Sequence, residues 1–182
     1  MAPAAVHTRA LLPIWADALS SGRKPFEVQR YKQVNHNAMK FGERGALVIV
    51  SSKGSNLVVA VARVSAVVRD ADTSSLAGLV NSMDDEFLKG ALRDYMREGT
   101  SFDVMHFSEI FDLRQLCLTW SALELKLDCK APRNSGFPHV DLSWSGHVAL
   151  QEILARSAVV KHRIEKDEIL ENPEELSVSV RT

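Results

Sequence analysis

The spacing of apolar residues changes period twice in the opening of the chain. Residues 9–12 predict a short strand. Pro13 suits the first turn of a helix, where its missing N–H would be unpaired anyway. Ile14, Trp15, Ala18 and Leu19 then share one helical face, and Gly22 supplies a left-handed stop. From residue 26 to 31 the period becomes two: Phe26 and Val28 face one way, Glu27 and Gln29 the other. Residues 34–45 are polar and read as a loop. The apolar run 46–50 predicts a buried strand, residues 51–56 a turn, and residues 57–68 a second, longer strand, so the two form a hairpin. Arg63 interrupts the longer run and turns one of its sides toward solvent or a cleft.

Thr73, Ser74 and Ser75 offer helix caps. Leu76, Leu79, Val80, Met83, Phe87, Ala91, Leu92 and Tyr95 then recur at helical spacing. They form one long amphipathic helix, or two broken near Asp84 and Asp85, ending at Gly99. Alternation returns over 102–113 through Val104, Met105, Phe107 and Ile110. Residues 116–127 are a strand candidate, although their leucines fit a helix almost as well. Residues 132–136 read as a loop, 137–144 as extended chain and 148–154 as a helix. Beyond Val160 charge dominates and Pro173 stops any helix, so the end of the chain is expected to be a mobile tail.

Composition adds limits. At 182 residues, 46% hydrophobic and 25% charged, the chain suits one globular domain with a proper core. No apolar run approaches the roughly 20 residues that span a bilayer, and the first residues lack the basic start and apolar core of a signal peptide. Cys117 and Cys129 form neither a disulfide framework nor a metal-ligand spacing, which points to a reducing, intracellular and cytoplasmic setting. The formal net charge of −1 conceals a division. Residues 1–69 carry ten lysines and arginines against three acidic residues, a net of +7, and the remainder carries −8. Such asymmetry fits a localised anionic partner, and equally fits charges that intermix on the folded surface.

The segment from Ser20 to Arg30 holds the leading candidates. Lys24, at a turn beside the strand carboxylate Glu27, could bind a phosphate, or act as a base if buried. The same spacing also fits a solvated turn with a weak surface ion pair. Arg23 and Arg30 add charge, the Gln29 amide could read a base edge or a carbonyl, and Tyr31 could stack on an unpaired base. Arg63 and Arg69, with Lys53 in the preceding turn, could extend a basic surface along a phosphate backbone, or simply be solvated. Asp84, Asp85 and Glu86 read as an exposed break before any acid–base role. The six histidines show no metal-site spacing, and His106 reads as a satisfied core histidine. No phosphate-cradling glycine loop, nucleophile elbow or dinucleotide fingerprint is present, so no cofactor is expected.

The order of elements resembles the ASCH domains of the PUA-like superfamily. The similarity lies in a helix running into Gly22-Arg23-Lys24-Pro25-Phe26-Glu27-Val28-Gln29, then Gly45 before a strand, the long strand 58–68, and Ser101-Phe102-Asp103-Val104-Met105-His106-Phe107 after a helical insert. It spans roughly residues 9–115. It implies an α+β fold: a small, bent, mixed β-barrel flanked by helices, with a C-terminal extension. Residues 1–115 would form the barrel core, 116–160 would add strands and a helix to the same domain, and 161–182 would be the tail. The resemblance also implies an RNA- or nucleotide-binding module with a basic cleft at the Gly22–Arg30 turn and strand, and no membrane partner. The ligand-contacting residues would be Arg23, Lys24, Glu27, Gln29, Arg30, Arg63 and Arg69.

The alternative is an amidohydrolase acting on a modified nucleoside such as acetylated cytidine, for which one branch of the family uses a lysine, a threonine and a glutamate. Lys24 matches that lysine by its place after Gly22-Arg23. Glu27 stands at the threonine's place, Gln29 stands where an arginine often follows, and Glu86 is the nearest candidate for the glutamate. In this alternative Lys24 and Glu27 would be the catalytic pair. The departures tilt the expectation toward recognition.

Overall fold

The computed structural model describes residues 4–30, 45–97, 101–130 and 138–161, with the side chain of Arg30 outside the description. Among the described residues six strands form one mixed sheet: β1 (Val6–Leu11), β2 (Phe26–Arg30), β3 (Leu47–Ser52), β4 (Val58–Ala71), β5 (Phe102–Asp112) and β6 (Ala158–Lys161). Their order is β1-β3-β4-β5-β2, and β6 pairs with β5 beside β2. Only β1 and β3 run parallel; the other pairs are antiparallel. The two long strands carry the curl. Register shifts after Arg63, Val64 and Val68 bend β4 against β5, as extra residues in one strand do. The result is a curled half-barrel, the α+β architecture expected.

Three apolar clusters follow from strand alternation. Val48 and Val50 of β3 join Ala60, Ala62, Met105, Phe107 and Leu19. This is the inside of the curl, occupied by α1 (Pro13–Ser20), which touches β1, β3, β4 and β5. Leu47 and Ile49 point the other way, onto α4 (Trp120–Leu127) and α5 (Trp144–Ala155). Phe26, Val28, Phe102 and Val104 form a third cluster with α2 (Ala77–Asn81) and α3 (Glu86–Arg97).

Several local expectations need correction. The region 116–127 is not a strand: a 3-10 turn, Arg114–Leu116, precedes the helix α4. Thr119 caps that helix by accepting from the Ala122 N–H at 3.2 Å, and Trp120, Leu123 and Leu127 form its buried stripe. The leucine spacing therefore served a helix. The predicted helix at 148–154 begins earlier, because Ser143 caps it through the Gly146 N–H at 3.1 Å. Of the extended chain expected before it, His139 alone among the described residues pairs with a strand, at His7. The helical stretch after residue 73 is two helices. Asp85 starts the second by accepting from the Phe87 and Leu88 N–H groups, both at 3.1 Å. Asp72, rather than Thr73 to Ser75, organises the preceding turn, and its hydrogen bonds from Ser75 and Ser74 hold its carboxyl at about 2. Lys161 belongs to β6, whereas residues 162–182, most of the 34–45 loop, Tyr31, Gly99 and the 132–136 loop lie outside the described residues.

Helix α5 enters close beneath the end of α4. A Cβ on Gly146 would meet the Leu127 carbonyl oxygen at 2.6 Å, so glycine is required by space. Gly146→Ala is expected to cost about 1–3 kcal/mol, read as a lower urea midpoint at an unchanged slope.

Candidate functional site

Lys24 reaches its place because α1 stops abruptly. The Ser20 hydroxyl donates to the Ala16 carbonyl at 2.6 Å, Gly22 adopts φ +75°, and the Lys24 N–H then donates back to the Ala18 carbonyl at 3.1 Å. The chain thus doubles under its own helix before β2 begins. The side chain follows it inside: Lys24 is 3% exposed and Glu27 7%. Lys24 and Glu27 are therefore enclosed although Arg23 beside them is exposed, and the ion pair is not a surface one.

Four side chains meet here. Lys24 Nζ donates to Glu27 Oε2 and to the Phe26 carbonyl, each at 2.9 Å. Arg9 Nη2, from β1, donates to Glu27 Oε1 at 3.2 Å. In the amide orientation that satisfies both partners, Gln29 Oε1 accepts from Arg9 Nη1 at 2.6 Å and Nη2 at 2.7 Å. The Trp15 and Phe26 rings lie 5.2 and 4.9 Å from Lys24 Nζ, close enough for cation–π attraction. β1 and β2 stand at opposite ends of the strand order, so the curl has brought the two ends of the sheet together. Side-chain hydrogen bonds from Arg9 to Glu27 and Gln29 bridge them.

The electrostatics favour charge on Glu27. Burial pushes its carboxyl up, but the charges of Lys24 and Arg9 and their hydrogen bonds outweigh this and hold it below its ordinary value. Among the described residues, only two of the three Lys24 ammonium protons have an oxygen acceptor. Asp103, paired across the strands with Gln29, is also buried and accepts from the Asp70 N–H at 3.0 Å.

Arg23, Arg63 and Glu86 engage partners outside this cluster. Arg23 projects outward to Asp17 and to Asp85, the latter at 2.7 Å. Asp17 also holds Arg114 at 2.6 Å, which in turn grips Asp112 at 2.7 Å. Arg63 pairs with Glu109 at 2.7 Å across the β4–β5 ladder. Arg69 is half-buried on β4, Lys53 is exposed in the hairpin turn, and Arg30 closes β2 opposite Phe102. Glu86 faces solvent and pairs with Lys89 at 2.7 Å. His106 is buried in the core as expected, but its Nε2 has no hydrogen-bond partner among the described residues, and burial lowers its imidazole to about 4. The residues that sequence reasoning missed are Arg9 and Trp15. An arginine inside an otherwise half-apolar strand was the available signal for Arg9.

No protein-family model matches the chain, and no curated protein matches it in sequence. Solved structures do match. The ASCH protein of Zymomonas mobilis is 14% identical with a TM-score of 0.55, covering 84% of this chain and 96% of that one. A serine-to-alanine variant of ZmASCH from the same organism is 15% identical, TM-score 0.57, with coverage of 84% and 96%. A tyrosine-to-phenylalanine variant is also 15% identical, TM-score 0.54, with coverage of 84% and 99%. The chain has an ASCH-like fold. Among the described residues no helix is long and apolar enough to cross a membrane.

Proposed function

We propose that this chain is a recognition module for RNA or a nucleotide-like ligand, with Lys24 and Arg9 as cationic donors and Glu27 and Gln29 as their orienting acceptors. The observation that carries the reading is the buried cluster itself. A buried lysine with an ammonium proton that no described oxygen accepts is prepared for an anionic or carbonyl oxygen. The ASCH-like fold supports the same reading by analogy. Lys24 donates to both of its oxygen partners, so the geometry favours a hydrogen-bond donor over the proton acceptor that amide hydrolysis would require.

The test is titration of short single-stranded RNA oligonucleotides, and of single nucleotides, against wild type and Lys24→Met. Loss of a charged hydrogen bond is expected to weaken binding at least about tenfold. Each phosphate neutralised should contribute about −0.7 to the slope of log affinity against log salt. With two cations in the cluster, that slope should stay shallow. Equal affinity of wild type and Lys24→Met across these ligands would sink the assignment. Arg23→Ala is expected to change affinity by less than about twofold, because Asp17 and Asp85 already engage that guanidinium outside the cluster. A loss as large as that of Lys24→Met would move the binding surface outward.

A further inference from the structure

If Lys24 takes a ligand oxygen, something must move first, because the residue is only 3% exposed. Two rings lie over its ammonium, Trp15 at 5.2 Å and Phe26 at 4.9 Å. Phe26 is 1% exposed and belongs to the core cluster under α2 and α3. Trp15 is half-buried and packs at the margin of two clusters, inside neither. Of the two rings, the indole is the one that reaches solvent. We propose that the Trp15 side chain is a gate, which swings off Lys24 to admit an anionic or carbonyl oxygen to its third ammonium proton. This gate rests on the recognition reading of the same site.

The helix that carries the gate stays in place while the side chain turns. Ala16, Ala18 and Leu19 are buried, and Asp17 ties α1 outward to Arg23 and Arg114. The first turn is closed as well, since the Trp15 and Ala16 N–H groups both donate to the Leu12 carbonyl at 2.9 Å. Within that turn the indole is freer than a side chain in mid-helix. There, the preceding turn ordinarily denies a side chain one χ1 well. Trp15 is the third residue of α1, and Leu12 before the helix is extended, with φ −56° and ψ 148°. No helical turn precedes the ring, so it can rotate outward without unwinding the helix. The ammonium keeps its place when the indole leaves. It retains Glu27 and the Phe26 carbonyl, each at 2.9 Å, and the Phe26 ring. Opening therefore forfeits one cation–π contact and part of an apolar margin. A ligand oxygen that accepts the third proton in a charge-assisted hydrogen bond offsets that loss.

Amine labelling tests the gate without any RNA. Native protein is reductively methylated with formaldehyde and borohydride, and Lys24 is read by mass spectrometry on the tryptic peptide of residues 24–30. In wild type Lys24 should label more slowly than exposed Lys53. Its rate should also ignore urea below the unfolding transition, because the gate opens without unfolding. Trp15→Ala is expected to raise the Lys24 rate about tenfold, as for losing one desolvated cation–π contact, with Lys53 unchanged. Trp15→Phe should restore most of the protection, and amide protection of buried Ile49 should hold in both variants. An unchanged Lys24 rate in Trp15→Ala would overturn the gate. So would a wild-type Lys24 rate that climbs with urea in parallel with Ile49 exchange, a result that needs no variant to fold. Faster labelling in Trp15→Ala, beside RNA affinity that ignores Lys24→Met, would keep the moving indole and sink the recognition reading instead.

Discussion

Glu27→Gln is expected to lower the unfolding free energy by about 3–5 kcal/mol, the usual consequence of removing one partner from a buried ion pair. The substitution keeps the shape of the side chain but leaves Lys24 and Arg9 facing each other without the charge that reconciles them. It also loosens the bridge between the two ends of the sheet, since Arg9 would hold β2 mainly through Gln29. For a chain of this size the loss corresponds to a fall of roughly 10 °C in the melting midpoint. pH gives an independent readout. Glu27 is held below its ordinary value of 4.5 in the folded state, so its contribution is fully present above that pH and disappears as pH falls through the lower folded value. Wild type should therefore lose stability in that acid window more steeply than Glu27→Gln. Denaturation curves that place the variant within about 1 kcal/mol of wild type, with the same acid slope, would contradict a buried, ionised Glu27.

The sequence made part of this site legible. Gly22, the basic turn and the period-two strand located Lys24 and Glu27 three residues apart, because those signals are local. Burial was not legible. Alternating charge along β2 ordinarily marks a solvated face, but here that face lies on the inside of the curl, so Glu27 and Gln29 are enclosed. Arg9 was missed for a related reason. Its partners lie 18 and 20 positions later, on a strand with which β1 shares no ladder, and only curvature brings them into reach. Arg23 illustrates the reverse case. It sits beside Lys24 in sequence, yet its guanidinium finds Asp85, 62 positions away, and turns outward. The helix α4 was ambiguous because leucine spacing serves a strand or a helix until a cap decides, and the deciding residue was Thr119.

A cluster of this kind is costly scaffolding, and that cost offers a way to separate binding from folding. Replacing a buried charged group with apolar residues of similar volume is often neutral or stabilising by about 1–4 kcal/mol, because no charge must then be desolvated. The triple variant Arg9→Met, Lys24→Met and Glu27→Leu removes every charge from the trio at once. It is expected to fold and to melt no lower than wild type, in contrast to Glu27→Gln alone. RNA affinity should nevertheless collapse, by at least about thirtyfold if two charged donors act on the ligand, since truncating such contacts typically costs 2 kcal/mol or more. The same variant should flatten the salt dependence of any residual binding. A stable triple variant that binds RNA as wild type does would leave the cluster as a purely structural seam between β1 and β2. A triple variant that is strongly destabilised would mean that the directional hydrogen bonds, and not only charge balance, hold the two ends of the sheet together. A stable variant that has lost binding would assign the charges to recognition, because the fold would then have been shown to manage without them.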